Sequence, residues 1–544
     1  MIEKNKKEKY AMFLKEGQSG QMILYNQTEI VQALLNPRIY PVSWHVKEVE
    51  MLQSHIAMLF LAGDYAFKLK RAVLSQGTDF STPQKRRIAC VREMRRSTIY
   101  APHLVIGIRS VRRLPNGRIT LGGKLGEEVD TLIIMKRLKK ADILGFNIPD
   151  KAFDRFEIMD LAEQLADLHC KAKMFRTKWR LEDIQQIVFE NERILSRFGS
   201  EIIDSGKLTE LTQESLQYLA HNARLISLRQ KSGHIRKCHG ELLLSNIARK
   251  DGKYIFFSPV EHNTSLDCID TLYDLSSLLM DFEMRGLRRL ANMLFNHYLA
   301  YTNDMTGYPL LPLYQSIRAM MRAGICAKKV SLLDGKEKEA AIQNTQKYFD
   351  LACQFLLKSN KPVLIACGGL SGSGKSRLSR ELGGKLCPAP GAVILCENII
   401  KKQMSGCKLT QQLGEEYNSE AYKQVVYDVL NQQAKTALSI GSSVIVDGLF
   451  YHEADRITIE QIARELNVPF VGFWVTAPID VRENRIQTRK RNPSDVLNKA
   501  DLEKQQNTNI GNITWNLIDT DQPREQTLEQ ALAILKQQGV LING

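Results

Sequence analysis

From Pro362 onward, short apolar runs alternate with segments whose apolar residues recur every three or four positions. Pro362-Val-Leu-Ile-Ala-Cys367, Ser443-Val-Ile-Val446 and Phe470 to Val475 each predict a buried strand, the second ending at Asp447. Between them, Tyr422, Val425, Val426, Val429 and Leu430 keep helical spacing, continued by Ala434, Ala437 and Leu438. Gly441 then predicts a left-handed helix cap. A further helix is expected near Arg456 to Leu466. This alternation implies an α/β fold, a parallel sheet with helices on both faces.

The first ~355 residues follow another pattern. Met58-Leu-Phe-Leu61 and Tyr65 to Lys70 flank Ala62-Gly-Asp64, which predicts a hairpin. Amphipathic helices come later, one of them near Phe153 to Lys171. Strands first and helices afterwards imply an α+β domain with a small sheet lobe and a larger helical lobe. Pro362 limits helix continuation and sets the expected boundary at 358–362. The expected division is an extension at 1–28, an α+β domain at 29–357 and an α/β domain at 358–544. No internal repeat or long low-complexity tract interrupts it.

A chain of 544 residues is too long for one ordinary core, which agrees with that division. No apolar run approaches the ~18 residues of a membrane helix, and the charged start Met-Ile-Glu-Lys-Asn-Lys-Lys-Glu-Lys-Tyr10 lacks an apolar signal core. The ten cysteines are scattered singly, without metal-ligand spacing. Reduced thiols and a cytoplasmic setting, with no membrane partner, are expected. The net charge of +15 includes basic clusters at Lys85-Arg-Arg87, Arg92 to Arg96, Arg109 to Arg113 and Lys136 to Lys140. It favours anionic partners: nucleotides, phosphorylated substrates or nucleic acid. Nucleic acid ranks lower, because no aromatic-interleaved basic motif accompanies the charge.

Gly369-Leu-Ser-Gly-Ser-Gly-Lys-Ser376 fills every fixed position of G-x-x-x-x-G-K-[ST]. It follows the first predicted strand and precedes Arg377-Leu-Ser-Arg-Glu-Leu382, which has helical spacing. Strand, glycine loop and helix would surround an anion with backbone N–H groups at a helix N-terminus. Gly369, Leu370, Ser371, Gly372, Ser373, Gly374, Lys375, Ser376 and Arg377 are therefore the expected nucleotide cradle. Lys375 would reach the terminal phosphates of ATP and Ser376 would ligate Mg²⁺.

These motifs carry a resemblance. The first half resembles the aminoglycoside-phosphotransferase-like kinases, a branch of the protein-kinase-like fold. The second half resembles P-loop kinases of the gluconate-kinase and zeta-toxin type. Bacterial proteins that fuse both share this order. In the first half, Tyr65 to Lys70 resembles the nucleotide-lysine strand. The resemblance implies Lys68 as the phosphate-pairing lysine and Glu93 as its ion-pair partner. His239-Gly-Glu-Leu-Leu-Leu-Ser-Asn246 resembles the catalytic loop H-G-D-x-x-x-x-N, with Asn246 as a Mg²⁺ ligand and Glu241 at the base position. Glutamate places that carboxylate one methylene further out. In Phe256-Phe-Ser-Pro-Val-Glu-His262, Ser258 stands where the family has a metal-binding Asp, and Glu261 follows. A hydroxyl is a weaker Mg²⁺ ligand than a carboxylate. Asp270, Asp274 and Asp281 are implied as structural carboxylates.

In the second half the resemblance implies Asp447 as a Mg²⁺-linked or acceptor-orienting carboxylate and Arg485, Arg489 and Arg491 as lid arginines. It also places Asn398 where the family has the Asp that accepts the substrate hydroxyl proton. An amide orients a hydroxyl but takes no proton at neutral pH. Glu397 is adjacent, and points away if the segment is extended.

The leading expectation is an ATP- and Mg²⁺-dependent phosphotransferase working at the second domain on a small-molecule hydroxyl. Asp447 or Glu397 would position that acceptor. Two alternatives stand beside it: a nucleotide-binding regulator or scaffold, motivated by Ser258 and Asn398, and a nucleic-acid end kinase, motivated by the charge.

Overall fold

In the computed structural model, the expected hairpin forms between Ala57–Ala62 and Tyr65–Lys70, turning at Gly63 with φ of 57°. The structure describes residues 23–24, 26–54, 56–75, 78–146, 153–260, 268–357, 361–409, 411–414, 417, 419–488 and 499–542. They divide into two compact units. One runs to Ile148 and takes in His239–Cys268; the other comprises Pro149–Cys238 and Ile269–Gly544.

The first unit is built on a six-stranded antiparallel sheet. Its strands are β1 (Val49–Gln53), β2 (Ala57–Ala62), β3 (Tyr65–Lys70), β4 (Val105–Arg113), β5 (Ile119–Leu121) and β6 (Glu127–Lys136). They lie in the order β1-β2-β3-β6-β4-β5. Inward residues Phe60, Phe67, Leu69, Val111, Leu132 and Ile134 pack with Ile30 and Leu34 of helix α1 (Thr28–Leu35). Helix α2 (Pro83–Tyr100) starts at Thr82, whose side chain accepts from Lys85 N, with Pro83 in its first turn. The later segment of this unit forms the hairpin β7 (Ile247–Lys250) and β8 (Lys253–Phe256). Its turn residues Asp251 and Gly252 both have positive φ, the type I′ pattern.

The second unit holds helices α3 (Arg155–Lys171), α4 (Leu181–Phe198), α5 (Ser205–His221), α6 (Ala223–Lys231), α7 (Thr271–Met284), α8 (Arg288–Thr302), α9 (Leu311–Val330) and α10 (Gly335–Leu356). The predicted helix near Phe153 is α3, closed by a capping box between Asp154 and Glu157. Asp270, Asp274 and Asp281 are buried here. Arg229 binds Asp270 through Nε at 2.6 Å and Asp304 through Nη1 at 2.7 Å, with all three residues buried.

The same unit contains a five-stranded parallel sheet: β9 (Leu364–Gly368), β10 (Val393–Cys396), β11 (Val444–Asp447), β12 (Phe470–Thr476) and β13 (Asn516–Asp519), ordered β10-β11-β9-β12-β13. Every residue of β9 and β11 is buried, as a parallel sheet covered on both faces requires. Its helices are α11 (Lys375–Gly383), α12 (Glu397–Ser405), α13 (Glu420–Ser439), α14 (Glu453–Glu465), α15 (Ile479–Gln487), α16 (Lys499–Gln506) and α17 (Arg524–Gln537). Gly441 has φ of 84°, the left-handed cap expected after α13. The helices expected as the large lobe of the first domain thus share a unit with this sheet.

Candidate active site

The loop between β9 and α11 is the glycine-rich motif. Gly369, Gly372 and Gly374 all have positive φ. A Cβ on Gly369 would lie 2.2 Å from Val475 O, and one on Gly372 would lie 2.7 Å from Arg482 O. These contacts and dihedrals demand glycine. Lys375 begins α11 and folds over the loop, its Nζ donating to Leu370 O at 2.9 Å. Ser376, next on the helix, is exposed. The buried Ser373 Oγ has no hydrogen-bond partner among the described residues. The central strands put Asp447 level with Cys367, two residues before the loop, and that carboxylate is buried.

Two arginines of α15 brace the loop. Arg482 Nε donates to Ser371 O at 2.9 Å and Nη1 to Gln506 Oε1 at 3.2 Å. Arg485 donates to Thr520 Oγ1 at 2.8 Å and Thr520 O at 2.7 Å, and reaches the carbonyls of Gly372 and Ser373 at 3.4 Å. Of the expected lid arginines, Arg485 is thus held against loop carbonyls; Arg489 and Arg491 lie outside the described residues. Arg482 was not singled out from sequence, because its i, i+3 spacing to Arg485 reads equally as a solvated face. Arg377 is half-buried, and burial, then the nearby Arg524 and Arg485, lower its pKa. With Gly374, Thr520 and Arg524 it lines a shallow depression beside the loop.

The acceptor-side residues differ from the extended segment considered above. The chain turns into α12 at Glu397, so its carboxylate folds back into the site. Glu397 Oε2 accepts from Leu449 N at 2.9 Å and from Tyr427 Oη at 3.2 Å; Oε1 pairs with Lys401 at 3.3 Å. Phe450 N donates to the same Tyr427 Oη at 2.9 Å. Burial, then the Glu397 charge, push the Tyr427 phenol well above its ordinary value. Glu397 therefore anchors the turn that follows Asp447. Asn398 is half-buried in the first turn of α12. Cys396 lies level with Asp447 on the neighbouring strand, and burial followed by that carboxylate raises its thiol pKa.

In the first unit, Lys68 and Lys70 point to one face and both pair with Glu93 of α2: Lys68 Nζ lies 2.7 Å from Oε1, and Lys70 binds Oε2. Lys70, not anticipated as a partner, is fully buried; its place on the same strand face was the available signal. The loop from His239 is held by backbone bonds. Asn246 Nδ2 donates to Glu241 O at 3.0 Å, Phe257 N to Asn246 O at 2.9 Å, and Val260 N to His239 O at 2.9 Å. His239 Nε2 bonds Phe257 O at 3.0 Å. Glu241 is half-buried. Ser258 has φ of 55°, a left-handed conformation that costs a non-glycine residue about 1 kcal/mol or more. Glu261 lies outside the described residues.

An antiparallel sheet carrying a lysine–glutamate pair, followed by a parallel sheet with a glycine-rich loop ahead of α11, defines an α+β region joined to a P-loop α/β domain. Residues 364–508 match the family model described as AAA domain. The chain is 25% identical over 496 residues to an uncharacterized protein of Mycobacterium tuberculosis, covering 89% of this chain and 95% of that one. It is 26% identical over 159 residues to the L-seryl-tRNA(Sec) kinase of Methanococcus maripaludis, covering 29% of this chain and 57% of that one. Among solved structures, the GDP complex of wild-type aminoglycoside 2'-phosphotransferase-IIIa is similar with a TM-score of 0.37 and 12% identity, covering 60% of this chain and 99% of that one. No helix among the described residues is long and apolar enough to cross a membrane.

Proposed function

We propose that this chain is an ATP-dependent phosphotransferase whose working centre is the P-loop site. The observation that carries this reading is the loop itself: three glycines that no other residue replaces, Lys375 folded across it, and Asp447 level with its base. These residues fit a Mg²⁺-bound nucleoside triphosphate, which when bound supplies the transferable phosphoryl group. Backbone N–H groups from Gly372 to Ser376 would hold its phosphates, with Lys375 leaving Leu370 O to meet them. Ser376 and Asp447 would hold the cation. Arg485 and Arg482 hold the loop carbonyls, so its backbone N–H groups keep their places and Lys375 is the group that moves. Asp447 orients an acceptor hydroxyl, and Asn398 can hydrogen-bond it without taking its proton. Glu397 acts through the turn it anchors, because its own carboxylate is already committed to Leu449, Tyr427 and Lys401.

The acceptor we favour is a small molecule in a cytoplasmic setting, supported by ten free thiols. In the first unit, Ser258 and Glu241 favour a binding role for the 29–357 region without turnover. The test is binding and turnover of labelled Mg·ATP with a metabolite mixture, for wild type and Lys375→Ala. Loss of binding by about 100-fold in the variant is expected, since charge-assisted phosphate contacts carry that much. Unchanged binding would sink the reading. Binding with no transfer to any acceptor favours the regulator reading. Transfer to RNA or DNA, weakening steeply with salt, favours the nucleic-acid reading.

A further inference from the structure

Strand β10 is the edge of the parallel sheet, and an edge strand presents unpaired N–H and C=O groups. Here helix α8 covers them. Asn296 Oδ1 accepts from Ile394 N at 2.7 Å, and Asn296 Nδ2 donates to Ala392 O at 3.0 Å. A backbone N–H can only donate and a backbone C=O can only accept, so both bonds together fix the orientation of this amide. Bonding the C=O of one residue and the N–H two residues on is what a residue of a neighbouring parallel strand does. The side-chain amide of Asn296 therefore supplies the N–H and C=O that one residue of a sixth strand would supply.

Asn292, one turn earlier on α8, is fully buried and donates to the same Ala392 O at 2.9 Å. A Cβ on Gly383, the last residue of α11, would lie 2.4 Å from Asn292 Oδ1. Only glycine at the end of the P-loop helix leaves room for this side chain. Ala392 N in turn donates to Gly383 O at 2.8 Å. Asn292 is thus wedged where the helix after the phosphate loop meets the edge strand. Further along α8, Ala300 O accepts from Gln403 Nε2 of α12 at 2.8 Å. Edge strand and α12 are the two segments that flank Glu397 and Asn398. The same α8 is tied on its other side to α3, through His297 to Glu163 at 2.8 Å and Tyr301 to Asp167 at 2.8 Å.

We propose that α8 serves the P-loop site as a surrogate sixth strand, making Asn296, Asn292 and Gln403 positioning residues for the acceptor wall of Glu397 and Asn398. This rests on the phosphotransfer reading of that site. The acceptor wall is then built partly by the helical layer that precedes the P-loop domain in sequence. A shift of α8 moves the wall more than the phosphate loop, which meets α8 only through the far end of α11 at Gly383 and takes its own bonds from Arg482, Thr520 and Leu449.

The test uses the full chain with Asn296→Ala and, as a variant remote from the core, Gln403→Ala. Amide hydrogen exchange is followed by mass spectrometry, and Mg·ATP hydrolysis is measured with water as the acceptor. For Asn296→Ala, exchange across 392–399 is expected to rise about tenfold, the factor that one lost hydrogen bond allows. The kcat of hydrolysis should fall by a similar factor while KM for Mg·ATP stays within about twofold. Gln403→Ala should reproduce the kcat effect in weaker form, and decides the matter if Asn296→Ala does not fold. Unchanged exchange at 392–399 would overturn the proposal, and so would a rise in KM matching the fall in kcat. If wild type hydrolyses no Mg·ATP and binds none, the phosphotransfer reading fails by itself, while the exchange result still decides whether α8 pairs the edge strand.

Discussion

Glu397→Gln removes one charge from a buried cluster and leaves its shape. In the wild type, Oε2 accepts from Leu449 N at 2.9 Å and Tyr427 Oη at 3.2 Å, and Oε1 faces Lys401 Nζ at 3.3 Å. A glutamine can keep its amide oxygen toward Leu449 and Tyr427. Those two bonds then change from charge-assisted to neutral, a loss of about 1 kcal/mol each. Its NH₂ group must face the Lys401 ammonium, whose side chain is only 8% exposed. Removing one partner of a buried ion pair costs about 3–5 kcal/mol. These contributions overlap, since the retained bonds relax around the same oxygen, so the expected total is about 3–5 kcal/mol. For the unit made of Pro149–Cys238 and Ile269–Gly544, with an unfolding entropy of about 2.1 cal/mol/K per residue, that is a fall in melting midpoint of roughly 4–7 °C. The assay is thermal unfolding followed by intrinsic fluorescence, with Mg·ATP affinity measured in parallel well below the transition. Affinity should stay within a few-fold, because the Gly369–Ser376 loop meets Glu397 only through Leu449, whose O accepts from Gly369 N at 3.2 Å, and glutamine keeps the bond to Leu449 N. A variant within about 1 kcal/mol of wild type would refute the claim that Glu397 is a committed anchor, and would restore it as a free acceptor-binding carboxylate.

Two further outcomes follow from buried charges elsewhere. Glu93→Gln leaves the fully buried Lys70 without its anion and should destabilise by about 3–5 kcal/mol. Lys68→Met leaves Glu93 still paired and should cost no more than about 1 kcal/mol; urea midpoints for the two variants compare them directly, and equal losses would contradict the pairing. Burial tends to raise the Asp304 carboxyl, but its bonds to Arg229 and the charge of His234 outweigh it and hold that group well below the ordinary carboxylate range. Its folded pKa is depressed, so its stabilisation is present above the unfolded value of about 3.9 and is lost only as pH falls through the folded value. The stability gap between wild type and Asp304→Asn should therefore not shrink between about pH 7 and pH 5 and should close only below about pH 4; a gap that closes already near pH 6 would contradict the pairing.

Local pattern carried much of this molecule. Strand-like runs on either side of Ala62-Gly-Asp64 placed the first hairpin, and three- and four-residue spacing placed α3, α13 and α14 within a few residues of their observed ends. Apolar runs located β9, β11 and β12, because strands buried on both faces have no other composition open to them. The shape of the glycine-rich loop was legible, since it lies in consecutive backbone groups and the glycines that allow it. The pairing of Lys68 with Glu93 was anticipated only through the resemblance. Lys70 as a second partner was not.

What the sequence determined by itself is therefore whatever resides in a short stretch of chain: strand, helix, and the glycine-rich loop between them. What only the tertiary structure decided is which side chains are already committed. Glu397 looked available to an acceptor until the turn into α12 delivered it to Leu449, Tyr427 and Lys401, 52, 30 and 4 residues away. Nothing in the local sequence marks Asn292 or Asn296, whose amides bond an edge strand about a hundred residues further on. Hydrogen bonds saturate, so a polar residue's role depends on the partners it has already found, and those partners are set by packing over distances that no local pattern records.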